Sequence, residues 1–414
     1  MSPHCNISLY KLHGIDSNGF PTFGDVTGSQ ENNAVPAHPS VFFTVLKLLP
    51  WEEFNRAIKR HDAADFARGF SHRSHLVAMI CAQLANCGGL RAVETEMNSH
   101  ANRLAPIGVK APCKSSLADA NRYRPAAVFA DLLSALIRRA HPSLRRSMNG
   151  LTYLIDSTSV TLNGLSGSWA SFSEKVCGAK LHIVYDPDAD CPVYASISAS
   201  KVNDITAAKT MPITPGATYV FDLGYYDFAW WAKLDAAGCR VVTRLKKNTP
   251  FQVIEERDVP GGAILSDRIG HLPARLSANR KQPLNKELRE VCVQLDTGAV
   301  LRIFTNDLNA TAEEIADLYK RRWAIELFFR WVKQVLNIKK LLGTSENAVR
   351  IQLMVALITF LVLRLAQATQ TNVTSPLTFV RLVRSNLWQS RGLGQLDQPV
   401  QRKKLLVVGQ GVLL

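Results

Sequence analysis

The sequence predicts an α/β protein, a mixed sheet preceded by a small all-helical domain, and three observations predict it. Between residues 40 and 145 apolar positions recur at three- and four-residue spacing, the helical period. From Gly150 the texture turns to short β-branched runs set off by Gly, Pro and Asp, the pattern of strands. From Thr311 a helical pattern returns. At 414 residues, 47% hydrophobic and 20% charged, the chain is long enough for two or three domains with a sizeable core, which excludes disorder throughout.

Residues 1–37 are rich in Gly, Ser, Asn, Thr and Pro, lack periodicity, and read as a flexible arm or as the product of a start codon set too far upstream. Residues 38–148 carry the helical stretches "VFFTVLKLLPWEEFNRAIKRH", "HRSHLVAMICAQLANC", "GLRAVETEMNSHANRL" and "PAAVFADLLSALIRRAH". Their many arginines and lysines make this domain the first candidate for DNA contact, the alternative being a scaffold with solvated basic faces. Residues 149–370 form the sheet domain. "LTYLIDSTSVTL", "KLHIVYD" and "CPVYASISAS" are consecutive strands, and "ATYVFDLG" and "CRVVTRLK" flank the helical "FAWWAKLDAAGC", a combination that gives strands of mixed direction. "PFQVIEERDV", "ELREVCVQLD" and "AVLRIFTND" place a β insertion at about 250–305. "TAEEIADLYKRRWAIELFFRWVKQVLNI" then reads as one long helix, opened by Thr311 as N-cap with Glu314 three residues on. Ile351 to Leu363 is a 13-residue apolar run, short of the roughly 20 needed to cross a bilayer, and reads as a buried core helix. Residues 371–414 are expected to be a C-terminal helix and tail.

The charge is unbalanced: 49 Lys and Arg against 34 Asp and Glu leave +15. That excess favours a polyanionic partner, nucleic acid before membrane, because neutralising phosphates supplies most non-specific affinity. The eight cysteines are scattered, with no C-x-x-C and no histidine at zinc-ligand spacing, and the first 35 residues build no apolar run. Both point to a reducing, cytoplasmic location without a signal peptide.

Two aspartates follow apolar β runs, Asp156 in "YLIDSTS" and Asp222 in "YVFDLGYYD". Strand ends display catalytic carboxylates, although each Asp alone also suits a turn or cap. On the long helix, Tyr319, Arg322, Glu326 and Lys333 fall within roughly 60° of one another at about 100° per residue. Between Tyr319 and Lys340 there are seven basic residues and one acidic, Glu326. A salt bridge from Glu326 to Arg322 or Arg330 would be the ordinary explanation. A chemistry that needs all three carboxylates is two-metal phosphoryl transfer, in which hard cations take oxygen ligands while Arg and Lys hold the phosphates.

The spacing Y-x2-R-x3-E-x6-K formed by Tyr319, Arg322, Glu326 and Lys333 resembles the signature of DDE transposases of insertion-sequence family four. "LIDSTSV" and "VFDLGYYD" resemble that family's two aspartate motifs, and "GAKLHIVYD" and the text from Thr305 to Ile358 are similar to its typical sequence. The resemblance covers about residues 38–395. It implies a ribonuclease H-like sheet with a β insertion before the last catalytic helix. It also implies Asp156, Asp222 and Glu326 as ligands of two Mg²⁺ ions, with Mn²⁺ able to substitute. Tyr319, Arg322 and Lys333 would contact DNA. The implied activity is cut-and-paste transposition on double-stranded DNA, at terminal inverted repeats and a target, by a dimer associated with the nucleoid. Family members that pass through a DNA hairpin use an aromatic from the β insertion, and from Arg244 to Phe304 this chain offers only Phe251 and Phe304. The alternatives are a DNA-binding derivative that does not cut and a metal-dependent nuclease that does not join strands.

His182 is either an active-site neighbour or a satisfied strand histidine. Trp230-Trp231 and Trp323-Phe328-Trp331 read as core at helical spacing before they read as base-stacking surfaces. Ser157 lacks a G-x-S-x-G elbow, and the position of Tyr319 suits phosphate contact better than covalent attack.

Overall fold

The structure is a computed structural model that describes residues 39–63, 69–145, 150–162, 171–173, 176–259, 261–273, 283–336, 338 and 340–399. The expected N-terminal arm, part of the Gly261–Lys286 connection and the tail beyond residue 399 lie outside the described residues.

The N-terminal helices are α1 (Val41–Leu46), α2 (Trp51–Arg60), α3 (His72–Leu84), α4 (Leu90–Ser99), α5 (Ala101–Leu104), α6 (Lys114–Tyr123) and α7 (Ala126–Leu144). Ser40 and Ser71 start α1 and α3 by accepting the amides of Phe43 and Ser74, the usual way to satisfy an orphan N–H. The sheet follows with β1 (Thr152–Leu162), β2 (Ser171–Ser173), β3 (Val176–Asp186) and β4 (Cys191–Ala199). Next come a short helix α8 (Asp204–Ala208), β5 (Thr218–Phe221), α9 (Phe228–Ala236) and β6 (Arg240–Arg244). The strands β7 (Gln252–Arg257), β8 (Ile264–His271), β9 (Leu288–Gln294) and β10 (Val300–Thr305) precede α10 (Ala312–Arg321), α11 (Trp323–Val335), α12 (Glu346–Ala368) and α13 (Pro376–Ser385).

The strand order is β2-β3-β1-β5-β6-β10-β9-β8-β7, with β4 paired to β3. β1, β5 and β6 are parallel, as a strand–helix–strand crossover requires, and the other pairings are antiparallel. The strands from β7 to β10 extend the main sheet through β10 on β6. This is a large mixed sheet with a helical N-terminal region.

Each face of the sheet has its own core. Leu154, Val160, Val220 and Val242 face a core shared with the N-terminal helices and α10 to α13, whereas Tyr153, Ile155, Tyr219 and Phe221 face the aromatic cluster of α9. The apolar run read from the sequence lies inside α12, which covers 23 residues because Ser345 caps it on the Ala348 amide. By length and composition α12 could cross a membrane, but it is 78% buried within the fold, packed on α7, α3 and α6. The β3–β4 turn ties the helices to the sheet: Asp186 meets His141 of α7 and Arg145 just beyond its end, Asp188 meets Arg321 of α10, and Asp190 meets Arg364 of α12.

Two expectations are corrected. The helix opened by Thr311, whose hydroxyl does accept the Glu314 amide, is not continuous: it breaks at Arg322 into α10 and α11. There the Arg322 amide bonds the Tyr319 carbonyl and the Ile325 amide bonds the Arg322 carbonyl, both i→i−3 closures that tighten one turn. Asp156 does not end a strand, because β1 runs on to Leu162 against the equally long β3. What ends beside Asp156 is its parallel neighbour.

Candidate active site

The parallel pairing of β1 with β5 stops at Ile155 and Phe221, so the next residues, Asp156 and Asp222, emerge side by side. Alternation along the strands sends both toward the face of Leu154 and Val220, the face on which α11 packs. α11 carries Glu326. The sheet therefore sets two carboxylates from the register of adjacent strands, and a helix brings the third.

Arg322, at the break between α10 and α11, joins them. It donates to Glu326 Oε1 at 2.6 Å and lies 3.7 Å from Asp156 Oδ2. Burial pushes the Asp156 carboxyl up to about 6; the Ser157 amide opposes this, Asp222 and Glu326 add to it, and Arg322 counters them. Negative charge is thus crowded and only partly compensated by one guanidinium. Asp222 Oδ1 accepts the Gly224 amide at 2.8 Å, so it also serves as the turn residue that strand-end aspartates often are.

Tyr319 lies near the same carboxylates. Only 8% exposed, it has the Arg322 guanidinium 5.9 Å from its ring centre. Burial raises its phenol pKa, while Arg244 and Arg322 lower it and Asp222 raises it. Lys333 is half-buried on α11, about two turns beyond Glu326. All six residues singled out in the sequence lie on β1, the end of β5, and the α10–α11 pair. Among the described residues no three His, Cys, Asp or Glu side chains form a group that could hold a metal ion.

Four further residues border the site. Arg244, at the end of β6, is near enough to lower the Tyr319 pKa and has a buried Nε without a hydrogen-bond partner. The Tyr225 hydroxyl is buried; burial, then Asp156, Asp204 and Asp222, raise its pKa, and Ser157 opposes them. Asp204 accepts the Ser157 hydroxyl at 2.7 Å. Trp323, expected to pack in the core, is 51% exposed, with the Arg330 guanidinium 5.8 Å from its ring centre. Phe328 is buried and Trp331 packs edge-on to Phe360, as expected of core aromatics. Arg244 carried a sequence signal in its place at the end of an apolar β run, while Asp204 and Tyr225 gain meaning only from strands brought together by the fold.

Strand-positioned carboxylates amid arginines are equipment for metal-assisted chemistry on phosphodiesters. Residues 149–362 match the family model described as a transposase DDE domain, and residues 37–110 match a domain of unknown function, DUF4372. A Sinorhizobium fredii protein named transposase y4zB is 38% identical over 294 residues, 70% of this chain and 81% of that protein. A Geobacillus stearothermophilus protein named as the transposase of insertion sequence element IS5377 is 29% identical over 266 residues, 63% of this chain and 69% of that one. A solved piggyBac transposase synaptic complex with hairpin DNA is similar at a TM-score of 0.42 and 10% identity, covering 88% of this chain and 81% of that one. The chain belongs to the DDE transposase family. It is a DNA transposase, of a class of metal-dependent enzymes that cleave DNA and transfer strands.

Proposed function

We propose that the chain mobilises its own insertion sequence by cut-and-paste transposition, as a member of insertion-sequence family four with a ribonuclease H-like catalytic core. The observation that carries this reading is the placement of Asp156 and Asp222 at the end of the β1–β5 pairing with Glu326 on the helix over them. In this reading residues 38–148 bind DNA, residues 149–370 are catalytic with the strands at about 250–305 as the insertion, and 371–414 close the chain. The reaction takes place in the cytoplasm on nucleoid DNA, between a dimer, two terminal inverted repeats and a target duplex.

Asp156, Asp222 and Glu326 are the proposed ligands of two Mg²⁺ ions, for which Mn²⁺ substitutes. The donor set suits hard cations, since the three groups are carboxylates; the Asp156 pKa is raised mainly by burial, with Asp222 and then Glu326 adding to it, and positive charge at the site would relieve that. Mg²⁺ takes one or two protein carboxylates and fills its shell with water and phosphate, so the site needs no three-ligand cage. When bound, such ions supply Lewis-acid stabilisation at the attacking and leaving oxygens.

The protein's own groups do the rest. Arg322, Arg244, Tyr319 and Lys333 hold phosphates of the transposon-end strand, and Arg322 exchanges its carboxylate partners for a phosphate when the substrate arrives. Water attacks the phosphodiester at the element end, and the freed 3′-hydroxyl then attacks target DNA. Tyr319 is buried and its phenol pKa is raised, which disfavours it as a nucleophile and supports a path without a covalent protein–DNA intermediate. Trp323 offers a flat exposed surface beside the site for a base displaced from the stack.

Incubating the protein with a plasmid bearing the element's ends and a target plasmid, with Mg²⁺ or a chelator, tests this reading. Metal-dependent cuts at the end boundary followed by joined products are expected. Cuts without joined products would make the protein a nuclease, and binding without cuts a DNA-binding derivative.

A further inference from the structure

Asp204 is the carboxylate near the active site that the triad does not use, and its two oxygens face different ways. Oδ1 accepts the Ser157 hydroxyl at 2.7 Å and the Lys180 ammonium at 3.0 Å, with His182 Nδ1 at 3.7 Å. Oδ2 faces Gly224: a Cβ built on Gly224 would stand 3.4 Å from it and 3.0 Å from Asp222 Oδ1. Ser157 is the residue after Asp156 and, by strand alternation, points to the opposite face of the sheet. The antiparallel register sets it opposite His182, on the face that also carries Lys180. Lys180 donates to the Val202 carbonyl as well, which pins the loop that presents Asp204. The buried Tyr225 hydroxyl is close enough to Asp156, Asp204 and Asp222 for each of them to raise its pKa, after burial.

We propose that Asp204 is a positioning residue for the Asp156–Asp222 pair. It holds β1 from behind through Ser157, so that Asp156 keeps its place at the edge of the β5 pairing, and it faces Asp222 across Gly224. Lys180 neutralises it, so it adds no uncompensated charge to the site. Gly224 leaves the room between them free, since a Cβ there would press on Asp222 Oδ1 at 3.0 Å and touch Asp204 Oδ2 at 3.4 Å. The inference rests on the reading of Asp156 and Asp222 as metal ligands and extends it to the residue that orients them. Outer-shell partners of metal-binding carboxylates are commonly worth tenfold to a hundredfold in metal affinity or activity.

The test is Mn²⁺ binding to the full chain, followed by electron paramagnetic resonance, in wild type, Asp204→Asn, Ser157→Ala, their combination and Asp156→Asn. Asp204→Asn should weaken Mn²⁺ binding by roughly 10- to 100-fold and Ser157→Ala by several-fold. The combination should be no worse than Asp204→Asn alone, because both substitutions cut one link. Affinity for element-end DNA should stay at the wild-type value and unfolding should remain a single cooperative transition. Wild-type Mn²⁺ affinity in Asp204→Asn, alongside loss in Asp156→Asn, would overturn the inference while leaving the metal site standing; multiplying effects of the two substitutions would overturn it as well. Wild-type affinity in Asp156→Asn would remove the metal site itself and the inference with it. If Asp204→Asn does not fold, unchanged affinity in Ser157→Ala overturns the proposal.

Discussion

Arg322 donates to Glu326 Oε1 at 2.6 Å from the break between two helices, and the same guanidinium stands 3.7 Å from Asp156 Oδ2. One cation is thus shared by two carboxylates that come from a helix and a strand far apart in sequence. The packing of α11 on β1 brings the guanidinium to the strand carboxylate in addition to its i+4 partner on the helix.

Arg322→Gln should therefore lower the stability of the metal-free protein by about 1–3 kcal/mol, the cost of leaving a partly buried charge cluster uncompensated. Saturating Mn²⁺ should shrink that loss. Thermal unfolding with and without the metal measures it, and equal losses in both conditions would mean that Arg322 does not stand where cations are wanted.

Lys333→Ala and Arg244→Ala should each weaken end binding and reduce the slope of log K against log salt by about one, as expected for one lost phosphate contact. A weaker complex with an unchanged slope would assign the residue to protein packing.

Arg289 is 2% exposed and forms a two-pronged pair with Asp267, Nε to Oδ1 at 2.8 Å and a terminal nitrogen to Oδ2 at 2.7 Å, across the β8–β9 pairing. Arg289→Ala leaves a buried carboxylate unpaired and should cost about 3–5 kcal/mol in chemical denaturation. Adding Asp267→Leu should restore much of the loss; no recovery would point to lost packing instead of the stranded charge.

The pH dependence should carry the mark of His75, buried in the helical region with Nε2 2.8 Å from Asn121 Oδ1. Burial is the main reason its pKa falls to about 3; Asn121 opposes the shift, and Arg124 and His72 add to it. The unfolded chain takes up this proton near pH 6.5 and the folded one does not until about 3, so between those values the unfolded state binds more protons. Stability is full above pH 6.5 and is lost as pH falls, by about 1.4 kcal/mol per pH unit from this residue. Denaturation from pH 7 to 5 should show a shallower slope in His75→Gln. An unchanged slope would mean that His75 titrates alike in both states.

The local features of this fold could be read from the sequence. Asp222 follows an apolar β run and ends its strand, and Thr311 with Glu314 marks a helix start that the hydroxyl–amide bond bears out. What escaped depends on partners distant in the chain. Asp156 looked like a strand end because its own residues change there, but the first half of β3, Cys177 to His182, pairs with Ser157 to Leu162 and keeps β1 extended. The break at Arg322 leaves the apolar period intact on both sides, so periodicity could not show it. Trp323 reads with Phe328 and Trp331 as core, but it is 51% exposed, and composition alone does not tell which aromatic of a helix faces solvent. Asp204 follows no motif of its own and acquires a role only when β1 and β3 bring Ser157 and Lys180 to it.

The most direct measurement compares wild type and Glu326→Gln for binding and cleavage of a duplex carrying the element's end, with Mg²⁺ present. With Glu326 proposed as a metal ligand and not a DNA contact, end binding should stay within about twofold of wild type while cleavage falls by at least about a thousandfold. Glu326→Gln that still cuts at a rate near wild type would contradict the assignment of Glu326 as the third carboxylate.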